Sequence, residues 1–315
     1  MLVTSRNPHW QSLAQPVSVP VWPREEAVQF LLRRTGQTDA GAAQRLAESL
    51  GDLPLSLEQA GAYIAETGIS LADYGELFQN RRDDLWGEEK APLDYQHTVA
   101  TTWSLTLDQV RQEAPEGADL LNLSSFLGPE DIPLFLLETE IDHIPESLKS
   151  IVTDPLARNR AVAALVRYSL VKKSGEGLTV HRLVQAVVRD RLVEEEREAW
   201  AAAAAKLVNS AFPFDSDDVC TWPVCARLLP HAQAAAGQAQ ALGAAPEAAA
   251  RLWNQIGLYL WSRAEFKPAQ RALEQALAMV EQAYGPNHPE VAIRVNNLGL
   301  ALLGFGRPGG GEEEL

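Results

Sequence analysis

The stretch Asn254-Gln255-Ile256-Gly257-Leu258-Tyr259-Leu260 recurs 42 residues later as Asn296-Asn297-Leu298-Gly299-Leu300-Ala301-Leu302. Leu273 and Leu315 keep the same offset. Self-similarity at a period near 40 residues is typical of helical arrays, in which each repeat buries its apolar face against the next one. We therefore predict repeats over residues 251–315, and we expect the last one to be incomplete because its second helix is cut short.

The first repeat is predicted to be a pair of antiparallel helices, Leu252 to Arg263 and Pro268 to Tyr284. Ala264-Glu265-Phe266 would form the turn between them. Gly285 would end the second helix, and the prolines that follow would start the next one. Apolar and aromatic side chains are expected to fill the space between the helices: Trp253, Ile256, Leu260 and Trp261.

Asn254 and Asn296 occupy matching places in the two copies, and we predict that they line the concave groove of the array and bind a partner. An amide at such a place can bond to the backbone of a bound peptide, or it can bridge neighbouring repeats. The sequence does not separate these roles. The expected partner is a protein or a peptide.

Composition sets limits on the rest of the chain. With 315 residues and 46% hydrophobic content, two or three small domains can each bury a core. A net charge of −15 argues against a general nucleic-acid or anionic-membrane surface. We find no membrane-spanning stretch or secretory signal, so a cytoplasmic protein is expected. Cys220 and Cys225 lack a second ligand pair, so we predict buried free thiols and no metal site.

Between Asp154 and Arg191 the charge reverses, with eight basic and three acidic side chains. This island lies in a segment with several predicted helices, followed by a β-hairpin, whose turn is Ser174 to Gly177, and a closing helix. The predicted helices cover residues 98–111, 118–127, 132–137, 159–168 and 182–193. Together these elements predict a winged helix-turn-helix.

Two segments precede the winged helix. Met1 to Arg6 is predicted to be an apolar strand with a polar tip, a place where α/β folds meet anions. Arg24 to Leu85 is predicted to be helical. Within it Gly51-Asp52-Leu53-Pro54-Leu55 interrupts one helix and starts another, because proline fits the first turn of a helix but not its interior.

The order of these features resembles one family. The motifs are Gly51 to Ala60 (GDLPLSLEQA), Val180 to Gln185 (VHRLVQ) and Ala283 to Ala292 (AYGPNHPEVA). They are similar to those of a bacterial signal-transduction NTPase of the NB-ARC or STAND class, followed by tetratricopeptide repeats of the kinesin-light-chain type. The resemblance extends over almost the whole chain.

The resemblance implies a mostly α-helical, multidomain fold. The implied parts are the last strand and linker of a truncated α/β nucleotide-binding domain at 1–23, a helical ARC1-like domain at 24–92, a winged helix at 93–195, a helical linker or degenerate repeat at 196–250, and an α-solenoid of tetratricopeptide helix pairs at 251–315.

The resemblance also implies a nucleotide latch, in which ADP holds such proteins closed and ATP opens them. Arg6 matches the arginine that reads the terminal phosphate, Pro54 the proline that packs on adenine, and His181 the histidine that donates to the β-phosphate. The acidic residue that follows this histidine in the family is Arg182 here.

The sequence contains no Gly-x-x-x-x-Gly-Lys-[Ser/Thr] motif and therefore lacks the phosphate-cradling loop. We expect no ATP hydrolysis by this chain, no catalytic residue, and ADP or ATP bound tightly only in a longer parent protein. The scattered histidines, His231 among them, are predicted to have surface or capping roles.

Two other functions stay open. The winged helix could bind DNA through residues 159–168, with Arg158, Arg160 and Arg167 contacting phosphates, although that helix offers few side chains that could read bases. The chain could also be a stand-alone repeat adaptor.

Overall fold

The computed structural model describes residues 21–86, 95–138 and 145–305. The predicted strand with Arg6 therefore lies outside the described residues. The chain divides into two compact units, 1–102 and 103–315. Both are mostly helical, and the described part of the chain contains no helix that is both long and apolar enough to cross a membrane.

The first unit is a set of short helices around an apolar core. Its helices are α1 (Arg24–Thr35), α2 (Ala40–Ser49), α3 (Pro54–Thr67), α4 (Leu71–Trp86) and the start of α5 (Tyr95–Glu113). Leu31, Leu57 and Phe78 are each fully buried between them. Gly36 and Gly68 end α1 and α3 with φ of 68° and 73°, a conformation that glycine adopts without steric cost.

The turn between α2 and α3 has the predicted form. Pro54 is the first residue of α3. Just before it, Asp52 adopts a φ of 55°. The carboxylate of Asp52 accepts two hydrogen bonds from the Arg24 guanidinium, at 2.7 and 2.9 Å. This two-point contact joins the start of α1 to the turn and positions the first residues of α3.

The second unit begins within α5 and continues through a small sheet. Its first elements are α6 (Pro115–Ser124), β1 (Ile132–Pro133), a 3-10 helix (Leu134–Glu138), α7 (Glu146–Thr153), α8 (Pro155–Arg167), β2 (Val171–Ser174), β3 (Gly177–Val180) and α9 (Arg182–Arg191). The strands are antiparallel in the order β1-β3-β2. The predicted hairpin is confirmed, with Val171 opposite Val180.

The helix predicted at residues 132–137 is wrong at its start. Ile132 and Pro133 form an edge strand opposite Leu178 and Gly177, and only the residues after them turn into a 3-10 helix. Proline is tolerated in such an edge strand because one side of the strand does not need the backbone N–H that proline lacks. The pattern of apolar residues alone did not reveal that β3 had a free edge to offer.

Five stacked helices complete the second unit. They are α10 (Glu194–Ala211), α11 (Trp222–Ala241), α12 (Pro246–Ser262), α13 (Phe266–Tyr284) and α14 (Pro289–Phe305). Each packs against the next one. Buried alanines in α10 and α11, such as Ala204 and Ala235, add little side-chain bulk to their packing. Helices α12 and α13 are the predicted first repeat, with α12 starting six residues earlier than expected.

The predicted repeat core is confirmed in part. Ile256 and Leu260 are buried, whereas Trp253 and Trp261 are only partly buried. Gly285 ends α13 with a φ of 78°, as its position predicted. The prediction of two buried thiols is wrong for Cys220, which is exposed; Cys225 is buried, and both thiols are free.

Candidate functional site

A groove of about 650 Å³ lies along the repeat helices. Its walls come from α12, α14 and the end of α13, and from the segment that follows α10. The apolar part of the lining includes Leu258, Met279 and Ile293. All of these residues belong to the second unit.

The polar lining follows a pattern that occurs once in α12 and once in α14. Pro-Glu-x-x-x-Arg-x-x-Asn appears as residues 246–254 and again as residues 289–297, an offset of 43. Positions separated by three or four residues share one helix face. The two copies thereby place the same three side-chain types in the groove lining: Glu247, Arg251 and Asn254, and Glu290, Arg294 and Asn297.

A chain of side-chain amides crosses the floor of the groove. Asn297 Nδ2 donates to Asn254 Oδ1 at 2.8 Å, and Asn254 Nδ2 donates to Gln255 Oε1 at 3.0 Å. Gln255 Nε2 in turn donates to the carbonyl oxygens of Pro213, at 3.2 Å, and Phe214. Asn254 is 4% exposed, so these bonds satisfy a nearly buried amide. The chain joins the two repeats to the segment after α10.

The two predicted partner-binding asparagines therefore differ in position. Asn254 lines the groove and bridges neighbouring repeats, one of the two roles considered for it. Asn296 is exposed on α14 and is not among the lining residues; its neighbour Asn297 lines the groove instead. The sequence offset explains this difference, because the two copies match at 43 residues up to Asn297 and at 42 residues from Gly299 onward.

Arg251 extends from α12 towards the start of the groove. Its Nη1 donates to the backbone oxygen and to Oδ1 of Asn209, both at 2.7 Å, and its guanidinium lies 5.8 Å from the centre of the Phe214 ring. No carboxylate forms an ion pair with Arg251 in the described part of the chain. Burial lowers the pKa of Arg251, and repulsion from Arg294 lowers it further.

Arg294 occupies the matching place on α14. Its side chain is 13% exposed, and Nη2 bonds to Glu290 at 3.0 Å. Its Nε is buried and has no hydrogen-bond partner among the described residues. Burial lowers the pKa of Arg294, and the Glu290 carboxylate opposes this effect.

Acidic and aromatic side chains surround the mouth of the groove. Tyr284 donates its hydroxyl to Glu247 Oε1 at 2.7 Å, and its ring stacks on His288 with centroids 4.5 Å apart. The Glu247 carboxylate raises the pKa of Tyr284. Asp215 and Asp217 are exposed on the segment after α10. The groove therefore combines cationic side chains on its floor with carboxylates at its edge.

The residues implied to contact nucleotide lie apart in the chain. Arg6 lies outside the described residues. Pro54 is exposed in the first unit, at the start of α3. His181 belongs to the second unit, where it caps α9.

The surroundings of His181 favour a neutral ring that can donate a hydrogen bond. Its Nδ1 accepts from the backbone nitrogen of Leu183 at 3.2 Å, so the neutral ring carries its hydrogen on Nε2. Partial burial lowers the pKa of His181, and the charges of Arg182 and Lys172 lower it further. The ring lies 6.2 Å from that of Trp103.

The three arginines of the possible DNA contact are not equivalent. Arg158 is 12% exposed and bonds to Glu138 at 2.9 Å and to the Leu137 oxygen at 3.4 Å, so it is part of the internal structure. Arg160 is 73% exposed, with Asp154 at 3.8 Å. Arg167 lies in the last turn of α8.

The prediction of a surface position is wrong for His231. It is 1% exposed on α11, where Nε2 lies 3.1 Å from the Asp131 oxygen. The Arg227 guanidinium bonds the Asp131 carboxylate at 3.1 and 3.2 Å. The alanine-rich sequence around His231 did not indicate that the loop before β1 packs over it.

Comparisons with known proteins agree with part of this architecture. Residues 108–197 match a family model described as a domain of unknown function, DUF7779. Residues 250–290 match a model described as a tetratricopeptide repeat. One curated relative is a protein from Hyaloscypha variabilis named "nucleotide-binding leucine-rich repeat (NLR)-like protein", 24% identical over 269 residues that cover 81% of the chain and 26% of the relative.

The chain thus spans about a quarter of that relative's length. It is mostly helical, contains a tetratricopeptide repeat region, and is similar over most of its own length to a part of an NLR-like protein.

Proposed function

We propose that the groove between α12 and α14 binds an extended segment of a partner protein. The observation that carries the proposal is the repeated Glu, Arg and Asn set on its wall, because polar groups in fixed positions beside an apolar lining are what orients a peptide. The tetratricopeptide match at residues 250–290 supports it. Tandem helical repeats present such extended concave surfaces for binding.

Selection of a random-peptide display library on the immobilised chain tests this role. Ile293 lines the groove and is 48% exposed, so Ile293→Arg would fill the groove without disturbing the core. Leu303→Arg is the matched control, since Leu303 is 74% exposed on the same helix and outside the groove lining. We expect enrichment on the wild type and on Leu303→Arg, and its loss on Ile293→Arg. Equal enrichment on all three chains would contradict the proposal.

We further propose that residues upstream of the array belong to an NB-ARC or STAND type switch gated by ADP and ATP, which regulates access to the groove. The order of α6, α7 and α8 before the β2-β3 hairpin, with β1 at the edge of the sheet, supports the proposed winged helix. The similarity to the NLR-like relative supports the proposal that these residues are part of a nucleotide-gated protein. Signal transduction is the process that such a switch would serve.

In this switch Arg6, Pro54 and His181 are the proposed nucleotide contacts. A neutral His181 would donate from Nε2 to a phosphate oxygen, and a hydrogen bond to a charged group contributes about 1.5–3 kcal/mol. In a protein that also carries a phosphate-binding loop, His181→Ala should weaken ADP binding by roughly tenfold to a hundredfold. Lys173→Ala, at an exposed position on β2, is the control.

We propose that residues 1–315 alone do not hydrolyse ATP, since they lack the loop that cradles phosphates. Phosphate release by the purified chain measures this directly. Turnover that disappears on Arg6→Ala would contradict the proposal.

A DNA-binding role is the alternative, and the exposed cations of one region favour it. Arg160 on α8 and Lys172 and Lys173 on β2 all reach solvent. Phosphate contacts make DNA affinity fall steeply with salt. Salt-sensitive binding of duplex DNA that is lost on Arg160→Glu would favour this function over nucleotide gating. Arg158 is unsuitable for the test because its substitution would remove internal bonds.

A further inference from the structure

Two half-buried arginines occupy the floor of the groove, Arg251 on α12 and Arg294 on α14. Arg251 is held by the neutral side chain and backbone oxygen of Asn209, without an ion pair to a carboxylate in the described residues. Removing a guanidinium from water is costly unless an anion compensates its charge. Arg251 is therefore a cation held in place that no carboxylate of the described residues pairs with directly.

Arg294 adds donors at the same place. Among the described residues its ion pair is with Glu290, through Nη2 at 3.0 Å, and its buried Nε has no partner there. Arg251 and Arg294 are close enough to repel each other. An anion between them would relieve that repulsion and accept bonds from both guanidinium groups.

The edge of the groove restricts which anion fits. Four carboxylates, those of Asp215, Asp217, Glu247 and Glu290, line the same groove as the two arginines. They oppose a doubly charged phosphate more strongly than a singly charged carboxylate, and they oppose an acidic run on a partner. The same carboxylates favour basic residues on either side of the buried anion.

Resting on the proposed peptide-binding role of the groove, we propose that Arg251 and Arg294 form an anchoring subsite for one aspartate or glutamate side chain of the partner. The partner segment carries basic residues on either side of that carboxylate, which meet the acidic edge. Planar guanidinium groups suit this contact because their forked donors match the two oxygens of a carboxylate.

The fixed position of the subsite follows from the polar network around it. Asn209 and the Phe214 ring hold Arg251, and the amide chain through Asn254 and Asn297 joins the two helices that carry the arginines. A receptor group that is already ordered loses little conformational entropy when the ligand binds.

The same display selection, followed by sequencing, tests the subsite. The probe is a random library of peptides whose termini carry no charge. We expect enriched peptides to share an Asp or Glu at one aligned position, with Lys or Arg within a few residues of it. On Arg251→Gln that acidic preference should disappear while apolar preferences at other positions persist. Arg251→Lys, which keeps the charge, should retain part of it.

One enriched peptide then gives an affinity test in which each chain, wild type or variant, serves as its own reference. Replacing its shared Glu by Gln should weaken binding to the wild-type chain at least tenfold, and weaken binding to Arg294→Gln by much less. Enriched peptides without a common acidic residue, or equal losses on both chains, would overturn the subsite while leaving the groove in place. Preference for phosphorylated over glutamate peptides would also overturn it. Failure to enrich any peptide over Ile293→Arg would instead contradict the proposed groove function.

Discussion

The first copy of the repeat and the start of the second carry the same residue types in different surroundings. Leu252 on α12 is 0% exposed, whereas Val295, 43 residues later on α14, is 50% exposed. A side-chain carbon on Gly257 would lie 2.5 Å from Leu273 Cγ, whereas one on Gly299 would meet nothing within 4 Å among the described residues. A repeated residue therefore acquires its energetic role from the helix beside it.

Truncation of Leu252 and of Val295 should give the largest difference in stability between the two copies. Leu252→Ala should lower the free energy of unfolding by about 2–5 kcal/mol, because it leaves a cavity between packed helices. Val295→Ala should lower it by about 1 kcal/mol or less, since half of that side chain already meets water. Urea denaturation of the two variants measures both values. Equal losses would show that the two copies are equally packed in solution.

The asparagines test the bridge between the copies. Asn297→Ala removes the donor to the nearly buried Asn254 oxygen and should destabilise the chain by about 1–3 kcal/mol. Asn296→Ala, at the exposed neighbouring position, should change stability by no more than about 0.5 kcal/mol. Both substitutions also change helix propensity in the same direction, so the difference between them isolates the bridge. The idea fails if the two variants unfold at the same urea concentration.

Gly257→Ala and Gly299→Ala should change the stability of the chain in opposite directions. Gly257→Ala forces a methyl group against Leu273 and the Ala269 oxygen, and overpacking of this kind costs about 1–3 kcal/mol. Gly299→Ala should stabilise the chain by about 0.5–1 kcal/mol, because alanine favours a helix interior where no neighbour opposes it. Thermal unfolding by circular dichroism distinguishes the signs. A stabilising Gly257→Ala would show that Leu273 moves aside at little cost.

The buried His231 on α11 should make the stability of the chain depend on pH, with a small effect near neutrality. Burial lowers the pKa of His231 in the folded chain, whereas an unfolded histidine titrates near about 6.5. Its contribution to stability is therefore complete above about pH 6.5 and is lost as the pH falls below that value towards the folded pKa. The urea midpoint should fall less between pH 7.5 and 5.5 in His231→Gln than in the wild type. His288→Gln is the control for the loss of a histidine.

Sequence reasoning succeeded where the signal was local. The helix that begins at Pro54, the β2-β3 hairpin and the end of α13 at Gly285 each depend on backbone preferences of one or two residues. The groove pattern could also have been found, because Pro-Glu-x-x-x-Arg-x-x-Asn occurs in both copies. Aligning the two copies at a single offset of 42 residues hid this pattern, which repeats at 43, and matched Asn254 to Asn296 in place of Asn297.

Features that depend on distant contacts were missed. Ile132 and Pro133 become a strand because β3, more than 40 residues later, offers them an edge. His231 is buried because the loop containing Asp131, 100 residues earlier, covers it. Arg158, predicted as a phosphate contact, bonds inward to the 3-10 helix. No local pattern carries such information, since each case depends on which surface the fold brings next to the residue.

By itself the amino-acid sequence determined the helical repeats, the break at Pro54 and the hairpin, because helix periodicity, capping and turn chemistry act over a few neighbouring residues. The tertiary structure alone decided which polar side chains meet: the amide chain from Asn297 to Gln255, and a groove in which Arg251 has no carboxylate partner among the described residues. The reason is physical. Burial and charge compensation depend on the three-dimensional neighbours of a side chain, and those neighbours come from helices far apart in the sequence.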